Sequence, residues 1–334
     1  MHAVLAGAFT ACSRPRHCAK DTGLPTPGAI RAQARRFLLS ALFLLILALS
    51  QSALAASVTL VLSDASPPYQ QFANAFLASV RNESIQVSTL DLEQAARAVP
   101  AGTQLIIAVG SQAAEVMEAH PSSGPLALAM IPRATYDRVR NKRAVIGGVL
   151  IDQPPARYIQ LVRIALPDHT MIGLLAGRDS KESTQRLLSA AREQGIKAQS
   201  ETILDEQDIY PAMQRLLSDG AVLLATPDNT IFNSRTIPSI LLSAFRRQVP
   251  VIGFSPAYVN AGATVALYSS PEQLAAQTAE LARSVLNGSG NPGMQYPRQF
   301  TVGINERVAR SLGLHIDDSA VAIRERLEKL ERQP

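Results

Sequence analysis

Short apolar runs alternate with amphipathic segments from Ser57 onward, and this alternation predicts parallel strands joined by crossover helices. Many runs are apolar at every position, which is typical of strands with helices on both faces. The runs fall into two series, separated by a helical segment that follows Pro154 and Pro155. The first comprises residues 58–63, 85–90, 105–110, 126–131 and 145–150, and the second comprises residues 171–177, 197–204, 221–226, 249–255 and 264–269. The pattern predicts an α/β fold with two lobes, each a mostly parallel sheet flanked by helices.

The last quarter of the chain carries the clearest helix signal. Ser270 suits the N-cap, Pro271 suits the first helical position and Gly288 suits a C-terminal stop. After this helix, residues 299–304 are predicted to form one more strand and residues 305–312 a short helix.

These elements predict a division of the chain. Residues 1–56 are a leader, residues 57–150 together with about 270–316 form an N-terminal lobe, and residues 151–269 form a C-terminal lobe. Residues 317–334 form a charged amphipathic helix that either packs on a lobe or binds a partner.

The leader has the features of a secretory signal peptide. Arg35 and Arg36 precede an apolar stretch over residues 37–49, and small residues surround an expected cleavage site near Ala55. We therefore expect a periplasmic protein of a bacterium. The alternative is an uncleaved membrane anchor, because the apolar stretch approaches the roughly 20 residues that span a bilayer.

The positive net charge of the chain comes from this leader. Six of the 32 basic residues and one of the 27 acidic residues lie in residues 1–55, which leaves 26 of each in the remainder. The basic surface expected of a nucleic-acid-binding protein is therefore absent, and no nucleic acid is predicted as a partner. Cys12 and Cys18 also lie in the leader, so the exported part has no thiol for a disulfide or for catalysis.

Ligands of open parallel sheets bind beyond the carboxyl ends of the strands, so the loops at those ends hold the candidate binding residues. Hydroxyls, amides, a few charges and aromatic rings recur in these loops, and this mixture suits a small polar or amphipathic ligand. The candidates are Ser63, Asp64, Tyr69, Gly110, Ser111, Gln112, Arg133, Tyr136, Arg178, Asp179, Asp228, Asn229, Ser255 and Tyr258.

Several candidates have a structural alternative. Gly110, Ser111 and Gln112 precede a predicted helix, where free backbone N–H groups favour a ligand carboxylate, but Ser111 could simply cap that helix. Tyr69 and Tyr258 could stack on a ligand ring or pack within the protein.

The charged candidates also have both a functional and a structural interpretation. Arg133 with Tyr136, or Arg178 with Asp179, could clamp a charged group or be solvated. Asp228 could be a catalytic acid or base, a metal ligand, a helix cap or one wall of a ligand pocket. Because it has no histidine, serine or second carboxylate as an evident partner, the cap and the ligand wall are the readings that remain. The more specific prediction is that Asp228 or Asn229 accepts a hydrogen bond from an amino group of the ligand.

Motifs for catalysis are missing from the sequence. It contains no phosphate-binding G-x-x-x-x-G-K-[ST] loop, no G-x-G-x-x-G fingerprint, no H-E-x-x-H helix and no complete G-x-S-x-G elbow. The histidines show no metal-ligand spacing. The sequence therefore favours a binding protein without a cofactor or metal, and an exported α/β enzyme is kept as a lesser alternative.

Five segments, in this order and spacing, resemble the ABC transporter substrate-binding protein family that includes tryptophan- and tyrosine-import binding proteins. They are LIIAVGSQAAEVM, VIGGVLIDQPPARYIQLVRIALPDHTMIGLLAG, AVLLATPDN, VPVIGFSPAYVNAGATVALYSS and FTVGINERVARSLGLHI, within residues 105–316. The resemblance implies a type I periplasmic-binding-protein fold that closes on a solute and delivers it to an ABC permease in the inner membrane. It also implies ligand contacts at Gly110, Ser111, Asp228 and Asn229. The segment IPRATYDRV departs from the family pattern, so the ligand could differ from an aromatic amino acid.

Two functions of different classes follow from these patterns. The first is an exported solute-binding protein of an importer, whose ligand is an amino acid or a related metabolite. The second is a periplasmic ligand-sensing or interaction module of the same fold, which signals to a membrane partner without transport.

Overall fold

The computed structural model describes residues 55–121, 124–218 and 220–332, which form two six-stranded sheets with helices on their faces. This architecture confirms the predicted two-lobed α/β fold. The predicted signal peptide, with its apolar stretch over residues 37–49, lies outside the described residues. Among the helices of the described part, none combines the length and the apolar character needed to cross a membrane.

The first sheet is entirely parallel. Its strands are β1 (Ala56–Leu62), β2 (Ile85–Leu90), β3 (Leu105–Val109), β4 (Leu126–Ile131), β5 (Gly147–Leu150) and β11 (Gly293–Gln295), in the order β11-β5-β4-β3-β1-β2. Its helices are α1 (Pro67–Val80), α2 (Leu92–Arg97), α3 (Ser111–Ala119), α4 (Arg133–Lys142) and α10 (Pro271–Leu286). Every residue of β3 is buried, and Ile106 and Ile107 face separate apolar layers on the two sides of the sheet.

The second sheet is parallel except at one edge. Its strands are β6 (Met171–Ala176), β7 (Lys197–Thr202), β8 (Ala221–Leu224), β9 (Val251–Gly253), β10 (Val265–Tyr268) and β12 (Thr301–Ile304), in the order β12-β10-β9-β8-β6-β7. Its helices are α5 (Pro155–Ala165), α6 (Lys181–Glu193), α7 (Ile209–Leu216), α8 (Ile237–Arg246), α9 (Pro256–Ala261), α11 (Glu306–Ser311) and α12 (Ala320–Glu331). The edge strand β12 is antiparallel to β10.

The N-terminus of α10 forms as the sequence predicts. Ser270 Oγ accepts from Gln273 N (3.3 Å), and Gln273 Oε1 accepts from Ser270 N (2.8 Å), so two free N–H groups at the helix start are satisfied reciprocally. Pro271 occupies the first turn, where its missing N–H costs nothing. Gly288 follows the end of the helix with a positive φ of 72°, which glycine adopts without strain.

The chain passes between the lobes three times, and the third passage corrects the predicted division. Residues 270–316 were assigned to the N-terminal lobe, and β11 does pair with β5 there. Strand β12, however, pairs with β10, and Phe300 and Val302 lie in the core of the second lobe. Helix α11 and Leu314 and Ile316 after it also pack on the second lobe, so the predicted N-terminal-lobe assignment is wrong for residues 301–316.

The charged last helix, α12, packs on the second lobe. Its apolar stripe places Ile323 and Leu327 in the core of that lobe, where they contact the layer formed by β12 and α5. Of the two alternatives for this helix, the structure therefore shows packing on a lobe.

Candidate functional site

The three passages between the lobes are joined by Gln153 and Arg157. Gln153 Nε2 donates to Ser269 Oγ (3.0 Å), and Arg157 Nη1 donates to Gln153 Oε1 (2.5 Å) and to the carbonyl oxygen of Pro297 (3.1 Å). The guanidinium of Arg157 also lies over the ring of Phe300, 4.0 Å from its centroid. Since these residues come from all three passages, this cluster forms the junction about which the lobes can move.

A small recess of about 20 Å³, enough for one water-sized group, lies beside this junction. Asp152 and Tyr158 line it from the first passage and α5, and Tyr296 lines it from the third passage. The second lobe contributes Thr226, from the loop after β8, and Ser183, from α6. The recess thus draws its lining from segments that are far apart in sequence.

Asp152 is the carboxylate of the recess. Its Oδ2 accepts a hydrogen bond from Arg133 N (2.7 Å), the first residue of α4. Burial raises the pKa of Asp152 to about 6, although the hydrogen bonds from the backbone N–H groups of Arg133 and Asp152, and then the charge of Arg133, oppose this shift. The N-terminus of a helix favours a negative charge, so this bond steadies the carboxylate without neutralising it.

Two hydroxyl groups of the recess have no hydrogen-bond partner in the described part of the chain. They are Tyr158 Oη and Thr226 Oγ1, in residues that are 2% and 6% exposed. Burial also raises the pKa of Tyr158, and the charge of Asp152 adds to this effect. Buried polar groups are normally hydrogen-bonded, so both hydroxyls have capacity for a bound group.

At the mouth of the first lobe the structure brings Ser63, Tyr69 and Gly110 together. Ser63 Oγ donates to the carbonyl oxygen of Val109 (2.9 Å) and accepts from Ala113 N (3.0 Å) in the first turn of α3. The Tyr69 ring rests on Gly110, where a Cβ atom would lie 2.6 Å from Tyr69 Oη. Only glycine fits this close approach at a φ of 90°.

The capping role considered for Ser111 is therefore wrong. Ser111 is the first residue inside α3, and Gly110 occupies the N-cap position without a side-chain bond. The hydroxyl of Ser111 lies 3.3 Å from Thr135 Oγ1 instead. Ser63, which is distant in sequence, therefore accepts the hydrogen bond from the first turn of α3 that the sequence analysis attributed to Ser111.

The remaining first-lobe candidates divide between surface and core. Asp64 and Gln112 are exposed, and Asp64 Oδ1 accepts from Ser66 N (2.6 Å) in its own turn. Arg133 forms an ion pair with Asp137, with 2.6 Å between Nε and Oδ2. Tyr136 is buried and packs on Gly148 in the apolar core, so its ring contributes to packing.

Asp228 joins two loops at the mouth of the second lobe. Its Oδ2 accepts from Gly177 N (3.1 Å) and Ser180 Oγ (2.6 Å), and its Oδ1 accepts from Thr230 N (3.0 Å) and Thr230 Oγ1 (2.5 Å). The residue is 7% exposed. Four protein donors therefore occupy the carboxylate that was expected to receive a ligand hydrogen bond.

Asp228 is also not a helix cap. Residues 229–236 form turns, and helix α8 begins only at Ile237, with Thr236 at its N-cap. The carbonyl oxygen of Asp228 accepts from Phe232 N (2.7 Å) within these turns. The helical reading was wrong because the local donors close turns rather than a continuous helix.

The other second-lobe candidates do not converge on one point. Arg178, Asp179 and Asn229 are exposed. Tyr258 is buried, with its ring 4.6 Å from that of Phe254, which favours packing over the predicted stacking on a ligand. Ser255 is half-buried at the N-cap of α9 and makes no side-chain capping bond.

The recess residues Asp152, Tyr158 and Tyr296 are not among the sequence candidates, and Thr226 lies only at the end of the predicted strand over residues 221–226. A local signal for Asp152 exists, because it follows β5 at the carboxyl end of the first sheet. Tyr158 and Tyr296 carry no such signal. Within the described residues no group of three or more His, Cys, Asp or Glu side chains could hold a metal ion.

Solved structures share the fold of this chain. A conserved domain protein from Vibrio cholerae matches with a TM-score of 0.60 and 19% identity, over 80% of this chain and 98% of that one. An ABC domain from Streptococcus pneumoniae in complex with L-Trp matches with a TM-score of 0.59 and 16% identity, over 80% and 97%. The ligand-free, open structure of a substrate-binding protein with adhesive properties from Clostridium difficile matches with a TM-score of 0.60 and 15% identity, over 78% and 95%.

Comparison of the sequence with protein-family models identifies the family. No curated protein matches the chain. The model of the family described as ABC transporter substrate binding protein matches residues 77–326, which covers most of both lobes. The chain belongs to the ABC transporter substrate-binding protein family.

Proposed function

We propose that the chain is the exported solute-binding protein of an ABC-type importer, and that it holds a small polar or amphipathic ligand between its two lobes. The observation that carries this proposal is the recess at the junction of the lobes, with its half-buried carboxylate and two buried hydroxyls. Ligand sites are concave, and a few polar groups in them fix the orientation of the ligand. Ser180 Oγ donates to Asp228, but both residues are buried and the same hydroxyl is held by the backbone of Gly177, so the proposed role is binding rather than catalysis.

The lobes are arranged for closure around such a ligand. Helices α4 and α6 belong to opposite lobes and contact each other beside the recess. Rotation about the junction at Gln153 and Arg157 would separate these helices and open the recess to solvent. A ligand that binds both lobes would then shift the equilibrium toward the closed form.

The structural neighbours support binding without naming the ligand. One was solved with L-Trp and another in a ligand-free, open form. An amino acid or a related metabolite is therefore the first class to test. Of the candidate contacts, Tyr69 and Ser111 are the first-lobe groups that we propose to face the rest of the ligand.

The proposed location and partner follow from the family and the leader. Export by a signal peptide would place the protein in the periplasm, where an ABC permease of the inner membrane would receive the ligand. The competing function is a sensing module that signals to a membrane protein without transport. Neighbouring genes for a permease and an ATPase would favour import, whereas a neighbouring histidine kinase gene would favour sensing.

Thermal unfolding in the presence of ligand collections tests the proposal. The purified protein is heated with amino acids, peptides, nucleosides and sugars in turn. A ligand at 100 times its Kd should raise the free energy of unfolding by about 2.7 kcal/mol, which is readily seen as a higher Tm. If no compound in these classes raises the Tm, a solute-binding function is contradicted.

A further inference from the structure

The recess beside Asp152 presents one carboxylate, which only accepts hydrogen bonds when ionised, and two hydroxyls, which can accept as well as donate. The Asp152 carboxylate accepts from two backbone donors, Arg133 N and its own N–H, and a carboxylate can accept about four hydrogen bonds. Tyr158 Oη and Thr226 Oγ1 lie in the same lining, are buried and can each accept a further hydrogen bond, although the backbone N–H of Gln153 lies near Tyr158 Oη. A bound group with several N–H donors would complement all three side chains.

The nearby cations do not neutralise Asp152 by a side-chain ion pair. Arg133 directs its guanidinium to Asp137 Oδ2 (2.6 Å), and its Nη1 lies 3.4 Å from Tyr296 Oη. Arg157 binds Glu331, with 2.5 Å between Nε and Oε1. Both arginines are therefore committed elsewhere, and the negative charge of Asp152 is available to a cation that enters the recess.

The size of the recess narrows the choice of cation. The space left among its side chains accommodates a group about as large as a water molecule. A primary ammonium has this size and carries three donors, whereas a guanidinium is a wider planar fork. A carboxylate or phosphate would meet the charge of Asp152 unfavourably.

We propose that this recess binds the protonated primary amine of the ligand, through Asp152, Tyr158 Oη and Thr226 Oγ1. The inference rests on the proposed solute-binding function and specifies its substrate class as amines, including free amino acids. It also moves the amine contact from Asp228, whose oxygens are occupied by protein donors, to Asp152. The rest of the ligand extends from the recess into the space between the lobes.

Paired probes and variants test this assignment. The full-length purified protein is titrated calorimetrically with the twenty standard L-amino acids, tryptamine and putrescine, and with the N-acetyl form of each compound that binds. Amines should bind and their N-acetyl forms should not. The variant Asp152→Asn retains an oxygen that can accept from Arg133 N but loses the charge, and it should bind at least about 10-fold more weakly, because a hydrogen bond to a charged group is lost.

Two further variants, each lacking one hydroxyl of the recess, test the assignment even if Asp152→Asn fails to fold. Thr226→Val and Tyr158→Phe each remove an unpartnered hydroxyl, so the unliganded protein should retain its stability while amine affinity falls. The control Asp168→Asn removes the same charge at an exposed position and should bind like the wild type.

Each outcome separates the inference from the proposed function. Loss of amine binding in the recess variants, with an unchanged control, supports the inference. Tight binding of sugars, nucleosides or N-acetylated compounds without dependence on Asp152 overturns it and leaves the solute-binding function intact. Amine binding that is unaffected in Asp152→Asn, Thr226→Val and Tyr158→Phe also overturns it, and the recess then holds only water. Absence of binding by every compound of the wider ligand collections contradicts both.

Discussion

Arg157 Nε lies 2.5 Å from Glu331 Oε1, and Arg157 Nη2 lies 2.8 Å from Glu331 Oε2. This paired contact joins the start of α5 to the end of α12. Because the same guanidinium also binds Gln153 and the carbonyl oxygen of Pro297, the last helix is attached to the junction between the lobes. The charged tail helix is thus part of the folded domain.

We expect Arg157→Ala to lower the free energy of unfolding by about 3–5 kcal/mol, because Arg157 is 3% exposed and the change breaks a largely buried ion pair and its network. Glu331→Ala should cost less, about 1–3 kcal/mol, since its side chain is 31% exposed and Arg157 keeps two other acceptors. Urea unfolding measures both values. The control is Glu328→Ala on the same helix, whose 3.8 Å pair with Arg324 is more exposed and should contribute less than about 0.5 kcal/mol. Equal losses at Glu328 and Glu331 would contradict the attachment.

Asp228→Ala should lower the free energy of unfolding by about 2–4 kcal/mol, because the buried N–H of Gly177 and the hydroxyl of Ser180 lose their acceptor. Ligand affinity measured by calorimetry should change little in the folded variant. Asn229→Ala, at the adjacent exposed position, serves as the control and should stay within about 0.5 kcal/mol of the wild type. A variant of normal stability with lost affinity would restore Asp228 as a ligand contact.

Gly110→Ala should destabilise the protein by about 3 kcal/mol or more, because a positive φ is strained for alanine and the new Cβ would collide with Ser63 Oγ and Tyr69 Oη. The matched control is Gly102→Ala. Gly102 has a similar φ of 82° with nothing within 4 Å of the added Cβ, so it isolates the backbone strain, about 1 kcal/mol. Similar denaturant midpoints for the two variants would contradict the close approach of Tyr69.

The pKa of Asp152 predicts a pH dependence of stability. Its value of about 6 lies above that of an unfolded aspartate, so the native state binds more protons than the unfolded state between about pH 4 and pH 6. Stability from this group is therefore present at low pH and lost as the pH rises through 6. The charged and titratable groups around it are Arg133 and Asp137 on α4, Tyr158 on α5 and Tyr296 on the third passage.

Asp152→Asn removes this titration and provides the reference. Between pH 4 and pH 7 the wild type should lose about 2–3 kcal/mol of unfolding free energy relative to the variant. Urea titrations at both pH values measure the difference. Parallel pH profiles for the two proteins would show that Asp152 titrates normally.

Local pattern was sufficient wherever a feature depends on neighbours in sequence. Apolar runs placed the strands within a few residues of their observed ends, and the Ser270 N-cap was located correctly. Strand β11, by contrast, has only three residues, and no run of that length stands out from a loop. The lobe of β12 also escaped prediction, because its pairing with β10 spans a helix and a return passage.

The candidate site also combines features that local sequence predicts with features that depend on long-range contacts. Asp228 was noticed as a carboxylate at the end of a strand, but Ser180 and Gly177, which occupy its Oδ2, lie 48 and 51 positions away. The recess collects Asp152, Tyr158, Thr226 and Tyr296 from separate segments of the chain. The sequence alone determined the α/β alternation, the two lobes and the family. Only the tertiary structure decided which polar groups bind one another and which remain available, because hydrogen-bond partnership depends on distances that folding sets between remote residues.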